Sequence, residues 1–259
     1  HSAAHSSTDR FAFVVADGGE DGATSVDGVV KIAMTRPVEA ESLLLHLPLD
    51  EGTGTVAVDA SGNGHDGTLV NGAAFAAGTG DGSAFAVQFD GMDDRIDVGT
   101  LDVTGSGLTL ANWFNAASFP GSPDDPRFIS QASGTAADDH VFMLGTIGAA
   151  GAARLRARVK TDGTTATLIA TDGNLPTGVW HHAAMTYDGV TLRIYLDGTE
   201  VGSMPLSGPV TADPAVPVAV GAQPQNAGNN AFDGLIDDVR IYTRALSNAE
   251  IAELASAGP

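Results

Sequence analysis

The stretch WHHAAMTYDGVTLRIYLDGTEVGSM, residues 180–204, carries two turn signals inside three β-like runs. Trp180 to Tyr187 is followed by Asp188-Gly189, Leu192 to Leu196 by Asp197-Gly198, and both dipeptides are ones that hairpin turns demand. The segment therefore reads as a β-meander. Outward from it, short β runs recur at fairly even spacing between Gly, Asp and Asn turns, among them Ala84 to Phe89, Leu108 to Phe114 and Arg154 to Val159. That rhythm predicts an all-β sandwich or barrel. Only the C-terminus reads as helical: Ser247 caps it, Glu250 completes a capping box, and Ile251 and Leu254 form an apolar stripe.

Residues 9–36 read as a separate hairpin, because Phe11, Phe13 and Val15 alternate with small residues before Asp17-Gly18-Gly19, and Val26 to Met34 alternates again. A lone hairpin is marginal, so it is expected to pack on the main domain or on a neighbour. Arg36 to Glu41 serves as a linker, and His1 to Ser7 reads as a tag remnant. The expected organisation is residues 1–40 as tag, hairpin and linker, and 41–259 as one large domain.

The chain has 259 residues, 43% of them hydrophobic, with 12 Lys plus Arg against 32 Asp plus Glu and a net charge of −20. Such a chain can build a core but repels phosphate backbones and anionic leaflets, which argues against nucleic-acid partners and membrane insertion. The acidity itself fits a solvated surface, a cluster of Ca²⁺-holding carboxylates, or both. There is no cysteine, so disulfides and thiolate metal sites are excluded. No apolar run of membrane-spanning length occurs and no signal peptide opens the sequence, so any export signal is expected outside it.

Four motifs in order are similar to those of the laminin-G-like, concanavalin A-like lectin/glucanase superfamily: Leu47 to Gly52 with Asp59 to Leu69, Phe89 to Ile96, Trp180 to Gly189, and Gly234 to Ser247. The likeness runs from about Leu43 to Leu254 and implies a jelly-roll sandwich of two curved antiparallel sheets with a short C-terminal helix. Asp9 to Gly18 resembles the closing hairpin of bacterial cadherin-like or Ig-like repeats, which implies neighbouring repeats in a larger parent chain at a bacterial cell surface or outside the cell.

The resemblance also implies a structural Ca²⁺ held by an Asp of the closing strand, making Asp237 the candidate ligand, with Asp59 and Asn63 offering further oxygens. By strict alternation Asp237 would share a face with Leu235, Val239 and Ile241, where a carboxylate needs a cation or N–H donors. The competing reading is that Asp59 and Asn63 close an Asx-type turn while Asp237 accepts backbone hydrogen bonds. Asp90, Asp93, Asp94 and Asp97 lack EF-hand spacing and read as a solvated turn. His181 and His182 point to opposite faces of a strand and cannot easily share an ion.

For ligand binding, Arg154, Arg156 and Arg158 fall on one face of one strand and could meet carboxylates or sulfates of an anionic glycan, or pair with the surplus of Asp and Glu. The loops 116–126 and 223–230 are expected at a rim, with Arg127, Gln131, His140, Gln223, Gln225 and Asn229 as reachable polar residues. No paired-carboxylate glucanase string occurs, and of the alginate-lyase motifs only the Arg strand is faintly echoed. The sequence thus points to a non-catalytic lectin-like module for a polysaccharide or glycoconjugate. A structural or protein-interaction domain of an adhesin-like chain, and a polysaccharide lyase or glycoside hydrolase, stand as the alternatives.

Overall fold

The computed structural model describes residues 42–78, 84–172, 174–211, 213–224 and 230–259. The hairpin and linker expected over residues 9–41 lie outside them. In chain order the strands are β1 (Leu43–Leu47), β2 (Val56–Ala57), β3 (Gly67–Val70), β4 (Ala74–Ala77), β5 (Phe85–Asp90), β6 (Arg95–Thr100), β7 (Leu108–Ala116) and β8 (Arg127–Ala132). They continue with β9 (His140–Ile147), β10 (Arg154–Thr161), β11 (Thr164–Ile169), β12 (Trp180–Tyr187), β13 (Thr191–Leu196), β14 (Thr199–Pro205), β15 (Pro217–Val220) and β16 (Asp233–Tyr242), before helix α1 (Asn248–Ser256).

Two antiparallel sheets result. The first runs β14-β13-β12-β7-β16-β5-β4 with β1 also on β16, and the second runs β11-β10-β9-β8-β15-β6-β3-β2. Alternation decides which side chains meet between them: in β10, Leu155, Ala157 and Val159 enter the shared core, so Arg154, Arg156 and Arg158 project from the other face. Phe114 of β7 stacks on Phe128 of β8 with ring centroids 4.4 Å apart, and Phe232 meets Phe128 edge-on at 5.2 Å, tying the sheets together. The meander β12-β13-β14 forms as its turn signals require.

Helix α1 begins where its capping box lies: the Ser247 hydroxyl accepts from the Glu250 N–H, and the Glu250 carboxylate accepts in return from the Ser247 N–H at 2.7 Å. Its Ile251 is buried with Ala111, Ala184, Tyr195 and Tyr242, so the helix covers part of the outer face of the first sheet.

β16 departs from the alternation expected of it. Its first half, Asp233–Ile236, pairs with β5 and its second half, Val239–Tyr242, with β1, and the ladder to β7 shifts register between Asp237 and Arg240. Asp238 takes a φ of 47° at this bulge. The extra residue flips the parity of the strand, so Ile236, Val239 and Ile241 all enter the core while Asp237 lies opposite Trp113, on the other face. Asp237 therefore does not share a face with Val239 and Ile241.

Candidate functional site

The arginine face of β10 is the floor of the principal site. Gly145 of β9 pairs with Arg156 on one side and Arg127 on the other, so the two arginines flank a position with no side chain. A Cβ on Gly145 would meet the Pro126 carbonyl oxygen at 2.3 Å, which is why the tight entry of the rim loop into β8 needs glycine there. That loop and Asn230 wall a cavity of about 460 Å³ lined by Arg127, Arg156, Arg158, Asp124, Asp125, Asn230, Ser122, Pro123 and Thr135.

Asp125 fastens the wall. Its carboxylate accepts from the Gly148 N–H at 3.1 Å and faces Arg156 Nη1 at 3.5 Å, while its carbonyl accepts from Arg127 Nη1. Asn230 donates to the Pro123 carbonyl at 2.9 Å and accepts from Gln223 Nε2 at 3.2 Å. Ser122-Pro123 is a cis peptide.

Three guanidiniums are thus gathered under one loop. Burial first, then Arg156 and Arg158, push Arg127 down to about 9, against the pull of Asp125; burial and Arg158 likewise lower Arg156. His140 is fully buried beside them, and burial, Arg158 and Arg127 together bring it down to about 4, so it is neutral near pH 7. Its Nδ1 lies 2.9 Å from the Ala136 carbonyl, and Arg158 Nη1 lies 3.1 Å from the same nitrogen and 3.4 Å from Nε2. Arg127 Nε, Arg156 Nε and Nη2, and Arg158 Nε are shielded from solvent and meet no acceptor among the described residues.

The structure thus brings together Arg127, Arg156, Arg158 and, behind them, His140. Gln131 lies elsewhere: it is fully buried and donates to the carbonyls of Leu101 and Val216. Gln223 is buried and donates to Asn230, which lines the cavity. Gln225 and Asn229 lie outside the described residues. The sequence alone does not mark out Asp125 or Asn230; the one local signal is that Asp125 lies between Pro123 and Pro126 in the rim loop.

A second, acidic cavity of about 230 Å³ opens where β16 changes partners, lined by His46, Pro48, Asp50, Asp237, Asp238, Arg240 and the C-terminal residues 257–259. Asp237 is 1% exposed and accepts from the Asp238 N–H at 2.9 Å. Asp238 is held by His46 at 2.8 Å and Arg240 at 2.9 Å, which keep its pKa low despite burial. Asp237 and Asp50 thus offer carboxylates to one cavity, a donor set that suits a hard cation.

Asp59 is engaged differently. Its two oxygens accept from the N–H groups of His46, Ser61 and His65 and from the Ser61 hydroxyl, at 2.8–3.0 Å. The Asn63 amide donates to the carbonyls of Leu43 and Leu44 at 2.8 and 3.0 Å. Neither lines the Asp237 cavity. In the β5–β6 turn, Asp90, Asp93 and Asp94 each bring an oxygen within 4.8 Å of the others, Asp94 Oδ2 accepts from the Asp90 N–H, and Asp97 pairs with Arg95. His181 lies beside Phe114 and His182 against Trp113, on opposite faces of β12.

Comparison with known proteins places these features in a family. Residues 89–252 match the laminin-G model described as the concanavalin A-like lectin/glucanases superfamily. Over 77 residues, 29% of this chain, the sequence is 32% identical to adhesion G-protein coupled receptor V1 of Danio rerio, of which it spans 1%. Among solved structures, domain 4 of AbnA, a GH43 extracellular arabinanase from Geobacillus stearothermophilus solved with arabinotriose, superposes with a TM-score of 0.62 at 22% identity, over 83% of this chain and 98% of that one. The binding domain of Paraclostridial Mosquitocidal Protein 1 gives a TM-score of 0.62 at 17% identity, over 83% of this chain and 52% of that one. With two facing antiparallel sheets, a closing strand and a family match spanning more than half its length, the chain belongs to the concanavalin A-like lectin/glucanase superfamily.

Proposed function

We propose that this chain is a non-catalytic, lectin-like binding module that works outside the cell, within a larger bacterial secreted or surface protein, and that its ligand is a polysaccharide or glycoconjugate seated in the cavity over Arg127, Arg156 and Arg158. The observation that carries the reading is that cavity: about 460 Å³ of space, floored by a rigid sheet and walled by a loop that Asp125 and Asn230 fasten. A volume of this order and a few convergent polar groups are what small-ligand sites present. Solved structures of the same fold include a domain in complex with arabinotriose and the binding domain of a mosquitocidal protein, which supports binding rather than catalysis. Asp125, the buried carboxylate of the cavity, is engaged with Gly148 and Arg156, which suits a structural part better than that of a general acid.

A structural Ca²⁺ belongs to the same reading, with Asp237 and Asp50 as the residues that would hold it; it would brace the first sheet where β16 changes partner from β5 to β1. The test is a glycan-array screen with calcium and with a chelator. Retention of a narrow set of glycans is expected; no binding under either condition, with a protein partner retained instead, would replace the lectin reading by an adhesin-like interaction domain. New reducing ends or unsaturated products would make it an enzyme.

A further inference from the structure

We propose that the Arg127–Arg156–Arg158 cavity takes a single oxyanion, the carboxylate or sulfate ester of one acidic sugar on an otherwise sparsely charged glycan. The inference rests on the lectin-like reading of this cavity and adds the chemistry of its ligand. The lining carries three guanidiniums against the carboxylates of Asp124 and Asp125, of which only Asp125 is in an ion pair with any of the three, at the long distance of 3.5 Å. One positive charge is left over, and one oxyanion neutralises it.

The donors point the same way. Arg127 and Arg156 are 3% and 6% exposed, and the shielded guanidinium nitrogens named above meet no acceptor among the described residues. Buried donors without partners are costly, and buried cations without anions more so. A neutral sugar hydroxyl would relieve the first cost and leave the second. A carboxylate or sulfate relieves both, and the planar fork of an arginine matches its paired oxygens.

The rest of the chain sets the upper limit on ligand charge. With a net charge of −20 on the whole chain and so small a basic basin, a densely sulfated polymer is repelled along its length while gaining contacts at one point only. A glycan with one acidic residue gains the contact without that repulsion.

The experiment is calorimetric titration with matched pairs: glucose and glucuronate, galactose and galacturonate, galactose and galactose 6-sulfate, with heparin as the polyanion. The acidic member of at least one pair is expected to bind about tenfold or more tighter than its neutral partner, the winning arm distinguishing carboxylate from sulfate. Arg156→Gln is expected to abolish the preference, with folding checked by thermal melting. Arg158→Gln, at a less buried position, carries the same test should Arg156→Gln fail to fold. Equal binding of neutral and acidic members overturns the oxyanion assignment while leaving a lectin. Heparin binding tightest overturns the single-charge limit, and the absence of binding to any saccharide here or on the array removes the lectin reading with it.

Discussion

Arg156 of β10 and Asp125 of the rim loop face each other at 3.5 Å with side chains only 7% and 6% exposed, so one buried contact joins the floor of the cavity to its wall. Removing one partner of such a pair leaves a charge with neither water nor counter-ion. Asp125→Asn keeps an oxygen for the Gly148 N–H but strips the negative charge from beside Arg156 and Arg127. The expected result in denaturant unfolding is a loss of about 3 kcal/mol, partly restored by added sulfate, which would enter the same basin. Full stability in the variant would mean that Asp125 acts only through its backbone contacts.

Gly145 shapes the floor from below. An added methyl would collide with the Pro126 carbonyl at 2.3 Å and press on the Arg127 Cα at 3.0 Å, both backbone positions. Gly145→Ala is expected to cost about 1–3 kcal/mol and to displace the rim loop. Chemical-denaturation midpoints and saccharide affinity should fall together. A loss of stability with affinity intact would detach the loop from the site.

The pH dependence rests on two buried histidines, His140 in the second sheet and His182 in the first, each brought down to about 4, mainly by burial. Because each folded pKa lies below its ordinary value of about 6.5, the unfolded chain binds protons that the folded chain refuses, and folding is favoured by rising pH. Their contribution is complete above about pH 6.5 and is lost as pH falls toward 4, by about 3 kcal/mol for each histidine. Thermal melts between pH 7 and pH 5 should show the decline before the carboxylates titrate. A flat profile there would mean that both rings titrate in the fold as they do in the unfolded chain.

What was readable in the sequence is what local chemistry decides. Asp188-Gly189 and Asp197-Gly198 make their turns, Ser247 and Glu250 make their capping box, and the period of two places Arg154, Arg156 and Arg158 together on one face of β10. The parity of β16 was not readable, because the bulge at Asp237-Asp238 arises where the strand changes partner from β5 to β1, segments far apart in the chain. The role of Asp125 is not local either: its partners Gly148 and Arg156 lie 23 and 31 residues away. Gln131, expected at the rim, faces inward because the register of β8 against β9 shifts on both sides of it, and only the folded ladder reveals that.

The same partner change yields the last prediction. Where β16 changes partner from β5 to β1, Asp237 and Asp50 line a common cavity, and Asp59, outside it, is encircled by four donors. A cation that binds only the folded chain stabilises it by mass action, by about 2.7 kcal/mol at a hundred times its dissociation constant. Calcium is therefore expected to raise the melting temperature of the chelator-treated protein, and Asp237→Asn to abolish that rise while keeping an oxygen for the Asp238 N–H. Asp59→Asn should behave in the opposite manner: its melting temperature falls with and without calcium, since it weakens the donors' acceptor, yet the calcium-induced rise remains. A rise that survives in Asp237→Asn and vanishes in Asp59→Asn would move the cation from the partner change in the first sheet to the loop after β2.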